Sequence, residues 1–189
     1  MNRSEHLRRS IDRFAFTPAR AEPLAALRIG LALVLLAQAA MIAPFYRDFY
    51  DRTGLLSGPL RDMLASPGII SVDRLLHLLA PLGLGERAIL LAVSGLYVVS
   101  LVALLLGIRT RTSAAIAWCL HLVLLTAAEG TNYGADQLAH VFLFYLIWLP
   151  SGAALSLDQR LARVRPGPSP SARLALRVVQ IHLCIIYLT

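Results

Sequence analysis

The chain has 189 residues, 57% of them hydrophobic and only 15% charged, with a mean hydropathy of +0.65. Soluble domains run roughly 45–50% apolar and about 25% charged, so the composition argues against a soluble globule and for a polytopic membrane protein. The net charge of +7 does not point to nucleic acid, because the arginines sit beside apolar runs, as orientation signals do.

All eighteen basic residues are Arg, so no lysine is available as a base or Schiff-base former. Cys119 and Cys184 lie inside apolar runs with no CxxC spacing, and read as small core residues.

Residues 1–21 are polar and basic, with Arg3, Arg8, Arg9, Arg13 and Arg20 against Glu5 and Asp12. The apolar run behind them is too long for a signal peptide and lacks a cleavage site, so an uncleaved cytoplasmic tail is expected. Residues 22–189 then form one transmembrane domain. Its first span is predicted over Pro23–Ala43, close to the roughly 20 residues that cross a hydrocarbon core of about 30 Å. Arg28, one to two turns inside, is expected to snorkel to the cytoplasmic face.

Pro44–Glu86 is the longest mixed segment and opens on an aromatic-rich boundary, Phe45 to Tyr50. Within it, Ser71–Ala80 is amphipathic but too short to span, which predicts a helix lying along the surface. Further spans are predicted over Arg87–Leu106, Ser113–Ala128 and Asp136–Leu149. A basic segment, Leu155–Arg165, and a Pro/Gly/Ser linker over 166–171 follow. A fifth apolar run starts near Ala172 and is still apolar at Thr189, so a span cut mid-helix is expected. The fold class is therefore an all-α helical membrane bundle of about five spans, the fifth truncated, with an interfacial helix near 71–80. Twelve arginines lie in the tail, the 107–112 turn and the 150–177 segment, which puts the amino terminus inside and the connector Glu129–Gln137 outside.

The most informative stretch is Gly107–Asp158. Its run GIRTR, an apolar span, a loop with Asn132 and Gly-Ala-Asp136, and then FYLIWLPSGAALSLD resemble the bacterial HTTM (horizontally transferred transmembrane) domain. That domain is related to the membrane domain of vitamin K-dependent gamma-glutamyl carboxylase. Pro23–Gly30 resembles the family's first-helix opening, and Gln180–Leu188, with its IxYL ending, a later helix. The resemblance implies a multi-pass protein of the bacterial inner membrane with an outward-facing site, and allows a reduced quinone as cofactor and a quinone or protein as substrate. In the carboxylase a histidine follows the loop Asn and a lysine follows the IxYL-type helix. Here Tyr133 follows Asn132 and the chain has no lysine, so no carboxylase activity is expected of this chain alone.

Asp136 and His140 are four apart on one helical face at the outer end of the fourth span. They are the candidate catalytic pair, as a carboxylate-oriented imidazole, a general base or half of a metal site. The plainer alternative is a polar helix cap, with His140 bonded into the bundle. Glu129, Asn132 and Tyr133 share the outer loop and are candidate binding residues. His121, Gln180 and His182 lie inside spans, where polar groups are expensive; a shared His121–His140–His182 metal or quinone site is one reading and interhelical glue the other. Trp118, Tyr145 and Trp148 read as packing or interface anchors. Three functions stay open: a membrane enzyme or its remnant, a non-catalytic module binding lipid, quinone or a partner protein, and part of a transporter.

Overall fold

The computed structural model describes residues 12–45, 75, 78–79, 83, 85–127, 133–163 and 167–188. Residues 12–16 are helical, and six named α-helices follow. They are α1 (Glu22–Ile42), α2 (Glu86–Leu106), α3 (Thr110–Ala127), α4 (Gly134–Trp148), the short α5 (Leu157–Ala162) and α6 (Pro170–Leu188). Single 3₁₀ turns lie at Ala43–Phe45 and Ser151–Ala153. Among the described residues no strand forms beyond an isolated bridge between Ala19 and Ser169.

Among the described residues three helical segments are long and apolar enough to cross a membrane: Glu22–Phe45, Arg87–Leu106 and Pro170–Leu188. Their outward faces carry Leu33, Val34, Met41, Leu91, Leu96, Val99, Ile181 and Ile185, all exposed. In water such a surface would be a liability; against acyl chains it is the solvated one. The helices α3 and α4 have 18 and 15 residues, about 27 and 22 Å at 1.5 Å per residue, short of a core of about 30 Å. The proposed helix near 71–80 falls largely outside the described residues. Of it, Leu75, Leu78 and Leu79 are helical, with Leu75 and Leu79 packed on the main core.

The cysteines correct the sequence reading. Cys119 and Cys184 are free and exposed on outer helix faces, not in the core. A thiol is small and weakly polar, so a face turned to lipid suits it as well as an interior.

In space α1 packs on α2, α2 on α3, and α3 on α4, with lighter contacts from α1 to α4 and α6. The main core joins Leu35, Leu101, Leu104, Ala114, Ala117, Leu143 and Leu146, one layer from each of α1 to α4. A second cluster sets Leu24 and Ala25 of α1 and Phe142 of α4 against Ala172, Ala175 and Val179 of α6.

The GIRTR turn and the LPSGAALSLD segment form one polar joint at the α2–α3 end. Gly107 closes α2 in the left-handed region at φ 75°, with Gly107 N–H bonded to Leu104 O and Ile108 N–H to Ala103 O. Arg109, also left-handed, donates its backbone N–H to Asp158 Oδ2 at 2.6 Å. A Cβ on Gly107 would lie 2.4 Å from Ser156 Cβ, and one on Gly152 would lie 2.4 Å from Thr110 Oγ1. Both glycines are therefore demanded by close approach.

Arg28 locks this joint from α1. It is fully buried, and its Nη1 and Nη2 donate to Ser151 O and Leu155 O, each at 2.7 Å. The snorkelling expected from sequence is thus replaced by a closed contact: the guanidinium bonds carbonyls that the 151–155 turn leaves without helical partners.

Candidate functional site

Toward the opposite end of the bundle, α4 opens at Tyr133. Asp136, at the third position of the helix, accepts Tyr133 N–H on Oδ2 at 2.9 Å, which satisfies an otherwise orphaned backbone donor. Its other oxygen accepts from Gln38 Nε2 of α1 at 2.6 Å. Asp136 is buried, so this carboxylate is spent on a helix cap and an interhelical bond. No hydrogen bond joins it to His140 among the described residues.

His140 instead turns toward α3. Its ring stacks on Trp118 with centroids 5.1 Å apart and planes 19° apart. The His121 ring lies 5.5 Å from it, tilted by 35°. His121 in turn stacks almost parallel on Tyr97 of α2, at 5.8 Å and 7°. Four rings from three helices thus make a ladder, Tyr97–His121–His140–Trp118, extended at the Trp118 end by Phe144 at 5.7 Å. The Nδ1 atoms of both His121 and His140 are buried without a protein partner.

An unpartnered buried imidazole nitrogen costs free energy unless something meets it. Depending on tautomer, each Nδ1 offers either an N–H or a lone pair. The ladder is therefore a stack of flat π surfaces that carries two adaptable hydrogen-bonding atoms.

His182 stands apart from this pair. Its Nδ1 meets Tyr145 Oη at 3.0 Å with the rings edge to face, tying α6 to α4. Gln180 is exposed on α6, where Oε1 accepts from Arg177 Nη1 at 2.9 Å. Tyr133 is 77% exposed at the helix mouth, while Glu129 and Asn132 lie outside the described residues. Among the described residues no group of three or more His, Cys, Asp or Glu is placed to hold a metal ion.

Gln38 and Tyr97 were not singled out from sequence. A lone amide in an otherwise apolar span is a signal for Gln38, since such a group must find a partner. Nothing in sequence marks Tyr97, whose role comes from lying opposite His121 across a helix interface. No protein-family model, curated protein or solved structure matches the chain.

Proposed function

We propose that the chain is an integral membrane protein of the HTTM type, with five crossings and a cytoplasmic amino terminus in a bacterial inner membrane. In this reading its aromatic–histidine ladder binds the head group of a membrane-soluble quinone. The two unpartnered imidazole nitrogens, His121 Nδ1 and His140 Nδ1, carry the reading. A quinone ring is flat and suits a cluster of stacked aromatic and imidazole rings such as this one. Its carbonyl oxygens accept from an imidazole N–H, and the reduced ring's hydroxyls donate to an imidazole lone pair. One tautomer change thus adapts the two imidazole nitrogens to either redox form.

Binding is favoured over acid–base catalysis because Asp136 bonds Gln38 and Tyr133, leaving His140 without a carboxylate to orient it. The loop position after Asn132, where the carboxylase carries a histidine, is Tyr133 here. Its role is accordingly that of a quinone-responsive membrane module.

The two tryptophans permit a direct test. With Trp148→Phe, Trp118 becomes the sole reporter, beside His140. In lipid nanodiscs, a short-chain ubiquinone should quench Trp118 saturably, and His121→Leu or His140→Leu should raise the half-saturation concentration about tenfold, the effect of losing about one buried hydrogen bond. Linear, non-saturating quenching that is equal in all three proteins would refute the reading.

A further inference from the structure

The amino-terminal segment and the base of α6 are joined into one surface. Ala19 N–H donates to Ser169 O at 3.1 Å, and Ser169 N–H returns a bond to Ala19 O at 2.9 Å. This exchange sits just ahead of Glu22, where α1 begins, and Pro170, where α6 begins. Both helices belong to long apolar segments suited to crossing a bilayer, so the bridge ties together the ends at which two such segments begin.

Along the first two turns of α6 the contacts to this segment are made by arginine. Arg173 Nε donates to Thr17 O at 3.0 Å, and Arg177 Nε to Phe14 O at 3.3 Å. The Arg177 guanidinium also lies 3.9 Å above the Phe14 ring, a cation–π contact that holds its plane fixed. Arg13 and Arg20 are exposed on the same segment. Phe14 and Phe16 are about half exposed, at 48% and 51%, beside these cations. Asp12 and Glu22 are exposed there too, leaving the four arginines in excess by two charges.

We propose that residues 12–20 and the first turns of α6 form a binding surface for anionic phospholipid headgroups of the adjoining leaflet. Half-exposed aromatic rings beside the first turns of an apolar helix suit the depth where acyl chains meet headgroups. The guanidiniums beside them face the phosphate layer, for which a planar fork of donors is well matched. A soluble anion would use the arginines but leave Phe14 and Phe16 wet. A phospholipid satisfies both halves of the surface. The proposal requires only that α1 and α6 enter a bilayer, and it is independent of the quinone reading.

Native mass spectrometry of the detergent-solubilised full chain, titrated with phosphatidylglycerol or phosphatidylcholine, tests it. The wild type should retain phosphatidylglycerol about tenfold more tightly, with inorganic phosphate at equal concentration failing to displace it. Arg173→Gln/Arg177→Gln should abolish that preference. Because those side chains also hold the segment down, Arg13→Gln/Arg20→Gln is the second variant: it removes charge without removing a described hydrogen bond, and should weaken the preference severalfold. Arg87→Gln, at the start of α2, should leave it unchanged. Equal retention of the two lipids by wild type, displacement by phosphate alone, or an undiminished preference in Arg13→Gln/Arg20→Gln would overturn the proposal.

Discussion

Asp136 and His140 lie one helical turn apart on α4, yet they serve different neighbours. The carboxylate faces α1 through Gln38, and the imidazole faces α3 through His121 and Trp118. Their energetic coupling should follow those contacts. In a double-mutant cycle read by thermal unfolding in detergent, Gln38→Ala and Asp136→Asn should couple by about 1–2 kcal/mol, the scale of a hydrogen bond to a charged group. Asp136→Asn and His140→Ala should add within about 0.5 kcal/mol. A large coupling between Asp136 and His140 would restore the acid–base pair. Arg28 is the other residue whose loss should be severe. Arg28→Ala strips the Ser151 and Leu155 carbonyls of their donors, and should cost about 2–4 kcal/mol. Arg28→Lys should recover only part of this, since an ammonium lacks the fork that reaches both carbonyls at once. Chemical unfolding in mixed micelles distinguishes the two variants.

At the scale of elements, the joint between the α2–α3 turn and the 150–158 segment is set by two glycines. Gly152→Ala drives a methyl into the Thr110 side chain, and should destabilise by about 1–3 kcal/mol; Thr110→Ala in the same chain should return most of it. Gly107→Ala meets Ser156 Cα as well as Cβ, and carries a left-handed φ, so no side-chain truncation at Ser156 should fully rescue it. Melting temperatures of the single and paired variants check both statements. The long helices were legible in sequence, because apolar runs bounded by Gly, Pro and Arg mark their own ends. The short α5 and the helical residues 12–16 lie in stretches read only as a basic segment and a polar tail. The predicted Arg87–Leu106 span and α2 differ by one residue at the start, and α1 begins one residue before the predicted Pro23. What joins the helices was not legible. Arg28 finds its acceptors 123 and 127 positions away, and no local pattern encodes that distance. The i, i+4 spacing puts Asp136 and His140 one turn apart on α4, but the direction of each side chain depended on what α1 and α3 offered. His121 and His140 come together, whereas His182 is held by Tyr145, a split that periodicity alone does not determine.

For the whole molecule the question is how many helices cross. Among the described residues three segments qualify by length and composition, while α3 and α4 are shorter. Both short helices nevertheless pack side by side between the α2 interface and the α1 contacts, and share the main core with spans that qualify. A bundle of this kind can carry short helices by thinning the local bilayer or by sheltering their ends. The five-crossing reading therefore rests on the α3–α4 hairpin. It is tested most directly by labelling Arg111→Cys and Tyr133→Cys, each in a Cys119→Ser/Cys184→Ser background, with a membrane-impermeant maleimide. Both positions are exposed, Arg111 in the first turn of α3 and Tyr133 at the mouth of α4. Tyr133→Cys should react on intact spheroplasts and Arg111→Cys only once the membrane is opened; labelling of both from the same side would contradict the five-crossing reading.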